Sequence, residues 1–169
     1  MKQKKNTFTE FSSTVQKVQM AFKCFIRKKL KENGIDLSFE MLEVLKCLWE
    51  KEGLKQQDVA DYVMKDKASL TLLIDNLTRR NLVKRTEDPS DRRNKLIMLT
   101  EQGQALQHTI QPWIDEMYWM AGEDVPETLL REGIVLFDKI YGNLMQAGTR
   151  CLGEQMPELS INKSLQLAQ

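Results

Sequence analysis

The chain has 169 residues and a formal net charge of +1, and its length suits a single domain built around one core. No apolar run approaches a membrane span, and residues 1–5 lack the apolar core of a signal peptide, so we expect a cytoplasmic protein with no membrane partner. The charge is uneven: residues 1–53 carry +4, residues 54–100 carry +3 and residues 101–169 carry −6. A phosphate-rich partner should therefore bind residues 1–100 and not the acidic residues 101–169.

A long amphipathic helix is predicted at the start of the chain, ending near Gly34. Its apolar residues are spaced three or four apart and form a continuous line, here called the α1 seam. The seam consists of Phe8, Phe11, Val15, Val18, Phe22 and Phe25. A seam of this length needs a helical partner, so residues 1–35 are expected to form a dimerisation helix. The same pattern would also fit the core of a monomer.

Three shorter helices are predicted next, and the last two are separated by a break. Ser38 should cap the first helix, over Phe39–Glu50; the second covers Gln56–Tyr62 and the third residues 66–80, capped by Asp66. One face of the third helix has the spacing of buried residues: Leu70, Leu73, Ile74 and Leu77. The opposite face is small and polar near its start, which suits a helix that enters the major groove of DNA. Taken alone, an ordinary solvated face explains this pattern equally well.

Two extended runs after this helix predict a β-hairpin with a basic tip. They cover residues 82–85 and Lys95–Leu99, and a proline-containing polar loop separates them. Arginines at the tip, Arg92 and Arg93, suit the narrow minor groove of DNA, and Asp91 beside them would orient an arginine. Helix, turn, helix and hairpin together are typical of a winged helix-turn-helix, which reads DNA and does not perform catalysis.

Two more helices are predicted after the hairpin. Thr100 should cap the first, in which Pro112 is expected to cause a kink, and Pro126 should begin the second. Together with residues 1–35, residues 101–147 are expected to form an all-helical dimerisation region around the winged helix-turn-helix of residues 38–100. Residues 148–169 are expected to form a tail or one short extra helix.

Several motifs in residues 68–103 resemble those of the MarR family of bacterial transcriptional regulators. The most specific are Asp-Pro-Ser-Asp-Arg-Arg at residues 88–93 and Leu-Thr-Glu-Gln-Gly at residues 99–103. By motif, the resemblance covers about residues 37–120. Asn81 stands where family members usually have glycine, and it tolerates the left-handed backbone conformation nearly as well. Leu72 stands where an arginine is common, which leaves the preferred operator sequence open.

The resemblance implies a mainly α subunit with a two- or three-stranded wing sheet, acting as a homodimeric repressor. Such a protein would bind a pseudo-palindromic operator in double-stranded DNA and be released by a small aromatic or drug-like ligand. The residues predicted to contact DNA are Lys55, Gln57, Lys67, Ala68, Ser69, Thr71, Leu72, Asn76, Arg92, Arg93, Asn94 and Lys95, with Asp91 supporting the wing. The residues predicted to line a ligand crevice are Phe22, Trp49, Trp113 and Met117, each of which also fits a simple core position.

Two other functions remain open at this point. Cys24 lies among basic residues of the first helix, which could stabilise a thiolate and make the chain a thiol-based redox regulator. Alternatively, the winged helix could be a protein interaction module that has lost DNA binding. Cys24, Cys47 and Cys151 are odd in number and far apart, and His108 is the one histidine. The single histidine and the widely spaced cysteines lead us to expect no metal site, and no phosphate-binding loop or motif that pairs a nucleophile with a base indicates a cofactor or an enzymatic activity.

Overall fold

A computed structural model of the chain describes residues 2–90 and 95–146. Its elements in chain order are α1 (Lys2–Glu32), α2 (Phe39–Glu50), β1 (Leu54–Lys55), α3 (Gln56–Tyr62), α4 (Lys67–Arg79), β2 (Val83–Glu87), β3 (Lys95–Leu99), α5 (Glu101–Gly122) and α6 (Glu127–Gln146). The fold is mainly α with one small sheet, as predicted. The expectations for Asp91, Arg92, Arg93 and Asn94 at the wing tip, and for Cys151 and residues 148–169, lie outside the described residues.

The ends of the helices follow the capping residues that the sequence predicts. The Ser38 hydroxyl accepts a hydrogen bond from the amide of Met41 at 3.1 Å and so caps α2. After α1, Gly34 adopts a left-handed backbone with φ +65°, and after α4, Asn81 does the same with φ +55°. Asn81 therefore fills the role of glycine at the end of α4.

A third left-handed residue, Met64 with φ +50°, makes the turn between α3 and α4. The amide of Lys65 donates to the carbonyl of Ala60 at 3.0 Å, which closes the end of α3. Helices usually end in this way at glycine or asparagine, because other side chains strain a left-handed backbone. This turn contains neither glycine nor asparagine. The sequence therefore predicts a break here but not a methionine in the left-handed conformation.

The sheet has three antiparallel strands in the order β1-β3-β2. Val83 pairs with Leu99 and Glu87 pairs with Lys95, so β2 runs two residues further than the predicted strand of residues 82–85. Leu54 of the short β1 pairs with Ile97. The sequence predicts a wing sheet of two or three strands, and the sheet has three.

Two hydrophobic clusters hold these elements together. The first packs α2, α3 and α4 against the sheet, and its buried residues include Leu70, Ile74 and Leu77, while Leu73 packs against it half-buried. The second lies between α1, α2 and α5, and its buried residues are Ile26, Leu30, Leu42, Ile110, Ile114 and Met117. Because α2 contributes to both clusters, it connects the winged helix-turn-helix to α1 and α5.

The last helix, α6, has no buried residue. Nine of its large apolar side chains are 36–69% exposed, whereas Ile140 is half-buried; the nine are Leu129, Leu130, Ile134, Val135, Leu136, Phe137, Tyr141, Leu144 and Met145. On the α1 seam, Phe8 and Val18 are also exposed, whereas the rings of Phe11 and Phe137 lie 5.4 Å apart. Across residues 2–90 and 95–146, no helix is apolar over a stretch long enough to cross a membrane.

Candidate nucleic-acid interface

Helix α4 presents its predicted DNA-contacting residues on the side opposite its buried face. Lys67 and Ala68 are exposed in the first turn, and Leu72, one turn later, is 66% exposed. Ser69, Thr71 and Asn76 are half-buried. The outer face near the start of α4 is therefore small, apart from Leu72 and the flexible Lys67 side chain, and can approach another surface closely.

The start of α4 is fixed by hydrogen bonds to Asp66. Its carboxylate accepts one bond from the Ser69 amide at 2.8 Å and another from the Ser69 hydroxyl at 2.6 Å. These two bonds lower the pKa of Asp66, so the cap remains ionised at neutral pH. Ser69 is thereby held at the first turn of α4 in a defined orientation.

Two further hydrogen bonds fix the neighbouring side chains from α3. Gln56 donates through Nε2 to the Thr71 hydroxyl at 2.8 Å, and this contact connects the first residue of α3 to α4. Gln57 donates through Nε2 to Asp61 Oδ1 at 2.8 Å and remains exposed. Lys55, just before α3, is exposed as well, so both residues predicted in this region are accessible.

The wing is attached to α4 by an ion pair between Arg85 of β2 and Asp75 of α4. Arg85 Nη2 lies 2.7 Å from Asp75 Oδ1. Lys95, predicted to contact DNA, lies at the loop end of the hairpin, where it pairs with Glu87 and its Nζ is 3.0 Å from Glu87 Oε1. The Arg85–Asp75 ion pair sets the direction of the hairpin relative to α4, whereas the Lys95–Glu87 pair joins the two strands to each other.

Asp88, the first residue of the motif at residues 88–93, received no role from the sequence, and it begins the wing loop. Its side chain is buried, and its Oδ1 accepts hydrogen bonds from the amide of Ser90 at 2.8 Å and from the Ser90 hydroxyl at 2.5 Å. An aspartate that bonds the amide two residues later is a common turn signal, and Asp-Pro-Ser carries it. The first aspartate of the wing motif therefore shapes the loop.

Thr100 and Gly103, in the motif after the wing, join the sheet to α5. The Thr100 hydroxyl accepts a hydrogen bond from the Gly103 amide at 3.0 Å and donates to the carbonyl of Asn81 at 2.5 Å. A Cβ at Gly103 would lie 2.0 Å from the carbonyl oxygen of Leu82, so only glycine fits. The Gly103 carbonyl accepts a hydrogen bond from Trp49 Nε1 at 3.0 Å.

Arg80 connects the end of α4 to the segment between α1 and α2. Its Nη2 lies 2.6 Å from Asp36 Oδ2, and its Nε donates to the backbone carbonyl of Asp36 at 3.0 Å. Sequence reasoning missed this pair because 44 residues separate its members.

The four residues predicted to line a ligand crevice all belong to the second hydrophobic cluster. Met117 is buried in it, and Phe22, Trp49 and Trp113 pack against it half-buried. Two surface cavities of about 570 Å³ and 390 Å³ lie near the α1–α2 connection and include none of these four residues. The structure thus places the four predicted residues together in one packed hydrophobic cluster.

Cys24 and Cys47 have opposite environments. Cys24 is exposed, whereas Cys47 is buried in the first cluster, and desolvation raises the pKa of its thiol to about 12. Of the cations near Cys24, Lys23 lies 4.0 Å from Glu40 and Lys29 lies 2.7 Å from Glu116. In the described part of the chain, no three His, Cys, Asp or Glu side chains form a group able to hold a metal ion.

The comparisons with known proteins agree with this geometry. A family model described as the MarR family matches residues 37–95. The chain is 28% identical over 71 residues to the transcriptional regulator HosA of Escherichia coli O111:H-, and the match covers 42% of this chain and 53% of HosA. It is also similar to the crystal structure of CouR from Rhodococcus jostii RHA1 bound to p-coumaroyl-CoA, with 31% identity and a TM-score of 0.68 over 77% of this chain and 90% of CouR. The chain belongs to the MarR family.

A further MarR-type comparison supports the fold. The crystal structure of S. aureus MepR in a DNA-binding conformation is 25% identical, with a TM-score of 0.71 over 79% of this chain and 98% of MepR. The chain spans about half the length of the curated relatives it matches, as in the 53% of HosA. These findings confirm the predicted family and the winged helix-turn-helix fold of this MarR-family chain. The matched relatives are named as transcriptional regulators, in agreement with the expectation that the chain is not an enzyme.

Proposed function

We propose that this MarR-family chain is a homodimeric repressor that binds a pseudo-palindromic operator in double-stranded DNA in the bacterial cytoplasm. The observation that carries the proposal is the arrangement of α4: its start is small and exposed, and the ion pair between Asp75 and Arg85 fixes the wing beside it. A helix and a wing fixed together suit a major groove and the adjacent minor groove. HosA is a transcriptional regulator, and MepR is known in a DNA-binding conformation, which supports DNA as the partner.

Electrostatics also support DNA as the partner. Lys55, Lys67 and Lys95 are exposed around α3, α4 and the hairpin, and residues 54–100 carry a net charge of +3. Lysines on this surface can neutralise backbone phosphates. The sequence adds Arg92 and Arg93 to the same wing, where we assign Arg93 to the minor groove. The acidic last third of the chain would point away from DNA.

A second copy of this chain is proposed to cover α6 and the α1 seam. Phe8 is 51% exposed, Ile134 54% and Val135 69%, although all three are strongly apolar. Contiguous apolar patches of this kind mark interaction surfaces. The alternative of a monomeric core does not explain α6, because none of its residues is buried. Pairing would also hold two α4 helices about one DNA turn apart, as a palindromic operator requires.

A small-molecule ligand is proposed to release the operator. CouR is known in complex with p-coumaroyl-CoA, which supports a small-molecule signal here. We assign the crevice to Phe22, Trp49, Trp113 and Met117, because they belong to the cluster that shares α2 with the winged helix-turn-helix. A ligand that separates α2 from α5 would therefore act on both clusters.

The experiment that tests DNA binding is a salt titration of the full-length protein with random duplex DNA. A phosphate reader should show a steep fall of log affinity with log salt, and Lys67→Ala should reduce this slope by about one unit. Arg93→Ala should weaken binding to a selected operator by about 1–3 kcal/mol while the dimer stays folded. If the protein shows no salt-dependent affinity for any duplex, it is a winged-helix interaction module instead.

A further inference from the structure

Leu72 is the one large apolar side chain of α4 that is strongly exposed, at 66%, and α4 is described in full. Ala68 lies one helical turn before it and is exposed on the same side. A single exposed leucine is ordinary on a protein surface, so what sets Leu72 apart is its position on the outer face of the helix proposed to enter the major groove. The two residues form an apolar strip on the outer face of α4.

The polar side chains around this strip already have partners inside the protein. The Thr71 hydroxyl donates to the carbonyl of Lys67 at 2.7 Å and accepts from Gln56. The Ser69 hydroxyl donates to Asp66. Neither hydroxyl proton is therefore available to a base acceptor while these bonds hold.

Asn76 is likewise engaged at both atoms of its carboxamide. Its Nδ2 donates to the carbonyl of Leu72 at 2.8 Å, and its Oδ1 accepts from Arg79 Nη2 at 2.5 Å. Reading adenine with an asparagine requires both atoms at once, one as donor and one as acceptor. Asp75, which could accept from cytosine, is bound to Arg85.

Apart from the Lys67 ammonium and the acceptor lone pairs of the Ser69 hydroxyl, what α4 offers to base edges is thus mainly carbon. Among the groups displayed in the major groove, the 5-methyl group of thymine is the one that an apolar side chain can recognise. We propose that Leu72, with Ala68 beside it, reads thymine 5-methyl groups in each operator half-site, so that α4 selects sequence chiefly by apolar contact. This inference rests on the proposed DNA binding and specifies which chemical group on the DNA is recognised.

The test uses the full-length protein and a duplex selected by it from a random pool. Each thymine of the half-site is replaced in turn by deoxyuridine, which keeps base pairing and removes only the methyl group. Wild-type affinity should fall about fourfold for each contacted thymine, the effect of removing about one buried carbon from an apolar contact. A contacted T·A pair replaced by C·G should bind more weakly than the same pair replaced by 5-methylcytosine·G.

Two variants separate methyl recognition from general affinity. At the thymine that Leu72 contacts, Leu72→Ala should bind the thymine and deoxyuridine duplexes with nearly equal affinity. Lys67→Ala is the control: it should bind every duplex more weakly yet keep the preference for thymine. Circular dichroism should show native helix content for both, because both side chains are exposed.

Each outcome decides the inference. Equal wild-type binding of thymine and deoxyuridine duplexes overturns it, and so does full discrimination by Leu72→Ala. In both cases DNA binding itself stands. If the protein binds no duplex at low salt, the proposed function fails first and methyl recognition fails with it.

Discussion

Replacing Gly103 by alanine should destabilise the protein strongly, because this glycine is where α5 rests on the sheet. The added Cβ would lie 2.0 Å from the carbonyl oxygen of Leu82 and 3.0 Å from its carbonyl carbon. Both atoms belong to the backbone, so no side-chain rotation relieves the overlap. Ordinary contact begins at 3.4 Å, and α5 or the strand before it must therefore move by about 1.4 Å.

This movement would break hydrogen bonds that meet at the same place. The amide of Thr100 donates to the Leu82 carbonyl at 3.1 Å, and Trp49 Nε1 donates to the Gly103 carbonyl at 3.0 Å. Overpacking costs about 1–3 kcal/mol and each lost bond about 1 kcal/mol, so Gly103→Ala should lower the free energy of unfolding by about 3–5 kcal/mol. Thr100→Ala, which removes the helix cap and the hydrogen bond to the Asn81 carbonyl, should cost about 2 kcal/mol.

Urea denaturation followed by tryptophan fluorescence measures these changes. All variants are compared at one protein concentration, since the stability of a dimer depends on it. Gly122→Ala is the matched control: its Cβ meets no atom within 4 Å, and alanine favours helix, so stability should stay within about 1 kcal/mol of wild type. If Gly103→Ala unfolds at the same urea concentration as Gly122→Ala, α5 does not begin against Leu82.

The remaining predictions concern a turn, the dimer and the cysteines. Met64→Gly should raise the free energy of unfolding by about 1 kcal/mol, measured in urea, because glycine relieves the strained left-handed turn. Val18→Asp should dissociate or unfold the dimer in sedimentation, because it places a carboxylate in the α1 seam, whereas Gln16→Asp, away from the seam, should leave it intact. Brief alkylation and peptide mapping should find Cys24 modified and Cys47 unmodified in the folded protein, since Cys47 is buried with a pKa of about 12.

A result opposite to any of these three predictions would contradict one specific inference about the structure. A less stable Met64→Gly would mean that the methionine side chain makes contacts that outweigh backbone strain. If Val18→Asp still dimerises with wild-type affinity in sedimentation, the dimer interface lies outside the α1 seam. Early modification of Cys47 would show that the first cluster opens readily.

Most of the helical framework could be predicted because its signals are local. Ser38, Asp66 and Thr100 each cap a helix by accepting from the amide three residues later, and Gly34 ends α1 through its own backbone freedom. The length of β2 was underestimated, since its last pair joins Glu87 to a residue of β3. A strand that is stabilised by its partner continues as far as the partner does, and the residues of the strand alone do not show this.

The candidate interface was predictable as a set of surface residues but not as a set of contacts. The period of α4 places Lys67 and Leu72 outward, and the structure agrees. The period does not show that Thr71 and Asn76 are engaged within the protein, because their partners depend on side-chain conformations. Trp49 and Gly103 are 54 residues apart, and only packing brings them together.

Within the described residues, three polar contacts hold α4 along its length, and they come from different parts of the fold. Gln56 fixes its start and Arg85 its middle, both from within the winged helix-turn-helix. Arg80 fixes its end to Asp36, whose neighbour Leu37 packs against both hydrophobic clusters. Because Asp36 is 92% exposed, this ion pair contributes at most about 1 kcal/mol. Under the proposed release by a ligand, displacement of Leu37 would break this ion pair and the hydrogen bond from Arg80 Nε to the Asp36 carbonyl, and so free the end of α4 while the buried face keeps the helix folded.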